Sequence, residues 1–118
     1  MHTHTISPPE WKSVFDSLSR VYDGAHASLE LLSPELGAQF EIEDEPLRGI
    51  SYDKRTGVEL HFLTRDGRHL AHRIPRPNKV QLEERDDGLL NAVEIDSDGD
   101  PQRVLRFQSP LPSRLLTS

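Results

Sequence analysis

Apolar residues Trp11, Val14, Phe15, Leu18 and Val21 recur at spacings of three and four, with Lys12, Asp16, Ser19 and Arg20 between them. That is the stripe of an amphipathic helix, which must find a partner surface to cover it. In front of it, Ser7-Pro8-Pro9-Glu10 supplies an N-cap, a proline at the first helical position and the Glu of a capping box. Gly24 is placed to stop the helix, so the pattern predicts one helix starting at Pro8 and ending just before Gly24.

From Ala25 onward the period changes to two, in short runs separated by turn residues, which predicts an antiparallel β body of six or seven strands. Ala27, Leu29 and Leu31 alternate with Ser28 and Glu30; after Ser33-Pro34-Glu35-Leu36-Gly37, Phe40 and Ile42 alternate with Gln39, Glu41 and Glu43. These two runs predict a first hairpin. Leu47, Ile50 and Tyr52 form a third run that Gly49 interrupts, and a glycine inside a strand pattern marks a bulge or sharp bend of the kind barrels use. A fourth run carries Val58, Leu60 and Phe62 on one side.

The turn at Arg65-Asp66-Gly67-Arg68 sets the register of the next hairpin. A two-residue loop would put Phe62 opposite Ala71 and Leu60 opposite Arg73, mixing core with surface. A three-residue loop with Gly67 in the left-handed region pairs Phe62 with Leu70, Leu60 with His72 and Val58 with Ile74. The other face then carries Glu59 opposite Arg73, His61 opposite Ala71 and Leu63 opposite His69. Pro75 and Pro77 end that strand, and Val80 and Leu82 continue the pattern. In the last hairpin, which turns at Asp96 to Pro101, pairing Ile95 with Leu105 also sets Glu94 against Arg106. Residues 1–7 read as a flexible N-terminus, 8–108 as one helix-plus-β domain and 109–118, with two prolines and no periodicity, as a flexible tail. The fold class expected is mainly β with one N-terminal helix, an antiparallel small barrel or tight sandwich whose opening or face the helix covers.

Composition narrows the function. The chain has 118 residues and a net charge of -6, which disfavours a phosphate-binding surface. Arginines outnumber lysines but are scattered among loops and paired strand positions, so no nucleic-acid partner is expected. The absence of cysteine excludes disulfides, thiol nucleophiles and thiolate metal sites. The start Met-His-Thr-His-Thr-Ile lacks the basic and apolar regions of a secretory signal, and no 18-residue apolar run occurs, so a cytoplasmic protein with no membrane partner is expected.

Trp11 to Phe15, Leu47-Arg48-Gly49-Ile50-Ser51-Tyr52-Asp53, His72-Arg73-Ile74, Glu94-Ile95-Asp96-Ser97 with Asp98-Gly99, and Leu105-Arg106-Phe107 together resemble a small bacterial family known only as a domain of unknown function. The resemblance spans roughly Pro8 to Gln108 and implies one intact domain. It carries no activity, cofactor or catalytic residue with it.

The residues themselves offer few chemical candidates. Asp96-Ser97-Asp98-Gly99-Asp100 has alternating carboxylates, but an EF-hand loop wants its glycine at position six, and here it stands at four. His61 and His69 are diagonal cross-strand neighbours, about 7 to 8 Å apart at the backbone, and read as a solvent-facing pair before they read as metal ligands. His72 falls among core residues, where a hydrogen-bonded buried histidine is the default and a switch or ligand role the alternative. Ser51 and Asp53 lack the surroundings of a nucleophile elbow, and no glycine-rich loop leads into the helix. The acidic clusters Glu41 to Glu45 and Glu83 to Asp87 read as solvated loops. No catalytic residue, cofactor or metal is therefore assigned.

The leading expectation is a non-enzymatic binding or protein-interaction module, whose partner is a protein or a second copy of itself. The alternatives are a small ligand-binding barrel or minor enzyme, and a structural or stress-related accessory protein. The candidate partner surface is the weakly polar island of His61, Leu63, His69 and Ala71, framed by the charged Glu59 and Arg73. Leu111, Leu115 and Leu116 are the residues able to cover that island from within the chain.

Overall fold

The computed structural model describes residues 1–117. Strand β1 (His2–Ile6) leads through a 3-10 turn (Pro8–Glu10) into helix α1 (Trp11–Val21). Seven further strands follow: β2 (His26–Ser33), β3 (Gly37–Asp53), β4 (Gly57–Leu63), β5 (His69–Ile74), β6 (Pro77–Glu84), β7 (Leu90–Ser97) and β8 (Asp100–Phe107), and then a 3-10 helix at Ser113–Thr117. All eight strands join one antiparallel sheet in the order β1-β6-β7-β8-β2-β3-β4-β5.

The mainly antiparallel body with one N-terminal helix is as the sequence predicts, but there are eight strands rather than six or seven, and the sheet is not a closed barrel. Two of the expected runs, around Phe40 to Ile42 and Leu47 to Tyr52, are one strand of 17 residues. The first half of β3 pairs with β2 and the second half with β4. A strand shared by two hairpins has to bend between them. Register shifts opposite Ala27 to Glu30 and between Leu47 and Gly49 make the bend, and Asp44 takes a left-handed φ of 51° inside it. The bend at Gly49 is thus where the sequence places it, but it curls the sheet without bringing β1 to β5.

The bulge in β3 also corrects Phe40. Leu29 faces Ile42 while Glu30 faces Phe40, so one extra residue, Glu41, is inserted. Ile42 is buried at 8% exposure, whereas Phe40 is turned outward at 55%. A strict alternation had placed the two on one face, and a single inserted residue reverses that.

The β4–β5 register agrees with the bulged-turn prediction at every pair: Val58 with Ile74, Glu59 with Arg73, Leu60 with His72, His61 with Ala71, Phe62 with Leu70 and Leu63 with His69. Gly67 has the left-handed φ of 87° that this turn requires. The β7–β8 hairpin differs: Ile95 faces Arg103, Val93 faces Leu105 and Ala92 faces Arg106. A register shift between Ile95 and Ser97 moves the ladder by two residues, which preserves the face of every side chain, so alternation could not distinguish the two registers.

Both chain ends make contacts with the body of the fold. Residues 2–6 pair with Val80 to Glu84 as the edge of the sheet, and Ile6 packs on the core. Its carbonyl accepts a hydrogen bond from the Trp11 indole at 2.9 Å. At the other end, Leu111 packs on the core and its N–H donates to the Tyr22 hydroxyl at 3.0 Å.

The helix does cover the inner face of the sheet. Trp11, Phe15 and Leu18 are buried against β-strand residues such as Leu47, Ile50 and Phe62. The α-helix proper begins at Trp11 rather than Pro8, because the Pro8–Glu10 turn is 3-10, and the Ser7 hydroxyl donates to the Glu10 carboxylate at 2.7 Å instead of accepting from a helical N–H. Ser19 ties the helix to β3, its hydroxyl donating to the Ile50 carbonyl at 2.6 Å and accepting from the Ile50 N–H at 2.8 Å. Among the described residues no helix is long and apolar enough to cross a membrane.

Candidate functional site

The outer face of β4 and β5 holds a connected polar row. His61 Nδ1 and His69 Nε2 lie 3.1 Å apart, with the two rings nearly parallel at 14° and their centroids 5.1 Å apart. His61 Nε2 is 2.9 Å from a Glu59 carboxylate oxygen, and the other Glu59 oxygen lies 3.4 Å from the Arg73 guanidinium. The carboxylate determines the tautomer: Nε2 of His61 carries the hydrogen that Glu59 accepts, which leaves Nδ1 as a lone pair facing His69. The order along the row is cation, carboxylate, imidazole, imidazole.

Its scaffold is the turn from Thr64 to Arg68. The Thr64 N–H donates to the Arg68 carbonyl at 2.8 Å, and the Arg68 N–H donates to the Thr64 hydroxyl at 2.9 Å. That hydroxyl also donates to Asp66, and together with the Arg68 guanidinium it holds the Asp66 carboxyl below the usual carboxylate range. At the opposite end of the hairpin, Gly57 has a φ of 90°, and a Cβ there would meet the Ile74 carbonyl oxygen at 2.3 Å. Both ends are thus backbone-determined, so the histidines stand on a rigid ladder.

The island of His61, Leu63, His69 and Ala71 lies on the outer face of the β4–β5 hairpin. Leu63 is 36% exposed, His69 and Ala71 are exposed, and the His61 side chain is 29% exposed. Leu111 and Leu116 do not cover it; they pack on the core together with Tyr22 and the helix. β5 is an edge strand, paired with β4 alone among the described residues.

A second cluster lies where the bent sheet folds over. Glu41, the inserted residue of the β3 bulge, accepts a hydrogen bond from Arg103 Nε at 3.0 Å through one oxygen, and its other oxygen is 3.3 Å from His72 Nε2. These side chains come from β3, β8 and β5 and are 23%, 13% and 24% exposed. His72 Nε2 is shut off from solvent and makes no hydrogen bond among the described residues. The expectation of a hydrogen-bonded buried histidine is corrected on both counts: the ring is partly exposed, and its partner is a carboxylate poised for an ion pair. Glu41 thus bridges Arg103 and His72, and the contacts observed are those of a clasp joining β3, β8 and β5.

The acidic turn of β7–β8 spends carboxylates locally. The Asn78 amide donates to Asp98 at 2.6 Å and the Gln102 amide to Asp96 at 2.7 Å. Beside it an open groove of about 920 Å³ is lined by Leu32, Pro34, Ala38, Pro101 and Gln102.

The chain matches a family model described as "Family of unknown function (DUF5335)" over residues 2–114. The chain belongs to the DUF5335 family. A curated relative, an "Uncharacterized protein" of Aquifex aeolicus (strain VF5), is 32% identical over 114 residues, which is 95% of this chain and 97% of the relative. No solved structure matches. The DUF5335 match takes in β1 and the Leu111 contact, so it is wider at both ends than the Pro8 to Gln108 resemblance seen in the sequence.

Of the residues singled out in this DUF5335 chain, His61 and His69 are brought into contact, with Leu63 and Ala71 beside them on the same face. Glu59 and Arg73, read from sequence only as a surface pair, prove to belong to the row. The Glu41–His72–Arg103 cluster was missed. Nothing in the spacing of 41, 72 and 103 links them, and Glu41 stood in what looked like a solvated acidic run.

Proposed function

We propose that this DUF5335 protein is a non-enzymatic binding module that offers the outer face of the β4–β5 hairpin to a protein partner. The observation that carries this reading is the uncovered position of Leu63 beside His61, His69 and Ala71 on a hairpin at the free edge of the sheet. An edge strand presents unpaired backbone donors and acceptors to an extended segment, while the neighbouring side chains select its sequence. The histidines and the small Ala71 leave that face weakly polar, and Glu59 and Arg73 give it a charged border.

Leu63→Glu tests the reading with two measurements on the same variant. Proteins captured by the tagged wild-type chain from its native extract are compared with those captured by the variant, self-association is followed by sedimentation, and thermal melting is recorded in parallel. Lost association with an unchanged melt supports the interface. A large drop in melting shows that Leu63 is a packing residue, and unchanged association refutes the surface.

A further inference from the structure

We infer that His61 and His69 form a two-histidine binding site for a divalent cation of the zinc type on the outer face of the β4–β5 hairpin. The first observation is the bite. Two nitrogens bound to one tetrahedral Zn²⁺ at its usual bond length stand about 3.4 Å apart, and His61 Nδ1 and His69 Nε2 already lie 3.1 Å apart. To admit the ion both rings must turn until their lone pairs converge on a point beside the N–N line, displacing the hydrogen that now bridges the two nitrogens.

The second observation is independent of the first. A metal-bound histidine characteristically donates its other ring N–H to a carboxylate, which orients the ring and raises its basicity. Glu59 occupies that place, 2.9 Å from His61 Nε2, and is itself steadied by Arg73 at 3.4 Å. The hydrogen bond points the Nδ1 lone pair of His61 at the site in advance. Neutral imidazoles are the ligands, so only the His69 proton has to move, from Nε2 to Nδ1, and no net charge is lost.

Among the described residues no cluster of three or more His, Cys, Asp or Glu side chains is placed to hold a metal ion, so the protein supplies two ligands and water the rest. Such a site is open, unlike a closed structural one. It shares the face offered to the protein partner but needs none of that partner's atoms, since the two nitrogens and the carboxylate all belong to one hairpin.

Zinc chloride titrated into the whole chain at pH 7.5 in a non-coordinating buffer, followed by calorimetry and by the histidine ring resonances, tests the site. One equivalent is expected to bind, with His61 and His69 shifting together. Glu59→Gln should weaken binding by about 10- to 100-fold, and His61→Ala or His69→Ala by at least as much. Replacing the exposed His2 and His4 by alanine should change nothing. No uptake by the wild type, undiminished affinity in the two histidine variants of the hairpin, or loss only on replacing His2 and His4 overturns the proposal. Melting in chelator checks that each variant folds; His69→Gln, which retains a hydrogen-bond partner for His61, replaces His69→Ala if the latter melts low.

Discussion

Glu41→Gln is the sharpest probe of how the sheet is held in its bent form. The substitution keeps the size of the side chain but removes the negative charge that Arg103 and His72 both face. Arg103 is only 13% exposed, and its guanidinium also donates to the Pro101 carbonyl at 3.1 Å. A hydrogen bond to a charged group contributes about 1.5–3 kcal/mol, and the partial exposure of Glu41 reduces this to about 1–2 kcal/mol. At this chain length each kcal/mol corresponds to about 4 °C, so melting should fall by about 4–8 °C. Urea unfolding gives the free energy directly, because Trp11 is the chain's single tryptophan and is buried at 4% exposure. Arg103→Gln and the double variant complete a cycle. Removing both charges should be less damaging than the two single losses added together, giving a coupling of about 1 kcal/mol. A coupling under about 0.5 kcal/mol, within the usual error of additivity, would refute the clasp.

Phe15 is fully buried beneath the sheet, so Phe15→Ala should cost about 3–5 kcal/mol by cavity formation, and a melting shift of only a degree or two would mean that the helix does not dock. Tyr22 stacks on Phe107 with centroids 3.8 Å apart, and burial pushes its phenol up, while its hydroxyl accepts from the Leu111 N–H. Tyr22→Phe keeps the stacking but should cost about 1 kcal/mol and speed proteolysis between Leu111 and Arg114; unaltered cleavage would show that the hydroxyl does not hold the segment. Burial and the nearby Glu83 and Asp96 charges push the Glu94 carboxyl up from its ordinary value. A carboxyl raised on folding disfavours the folded state once pH exceeds its unfolded value, and the penalty vanishes when both states are protonated. Glu94→Gln should therefore raise the melting temperature at pH 7 and leave it unchanged below about pH 4, and an equal gain at both values would show a packing effect instead.

The β4–β5 hairpin shows how much local sequence can determine. Only one turn length keeps Phe62 with Leu70 and Leu60 with His72, and Gly67 permits that turn, so register, the outward face and the meeting of His61 with His69 were all legible. The helix was legible for the same reason, since a stripe of Trp11, Phe15 and Leu18 has one period and one face. A two-residue slip in β7–β8 was not, because it preserves every side chain's face and leaves alternation silent.

Other features arose only in three dimensions. The short Met1 to Ile6 segment has no apolar alternation to identify a strand, and β6 supplies the partner that makes it one. Glu41 was indistinguishable from its acidic neighbours until the bulge turned it toward Arg103 and the bend carried His72 alongside. By itself the sequence determined the helix stripe, the alternating body and one hairpin, because each depends on periodicity and turn geometry within about 20 residues. The tertiary structure decided the strand count, the open sheet and the clasp, because pairing β1 with β6 and folding β3 over itself are long-range choices that no local pattern encodes.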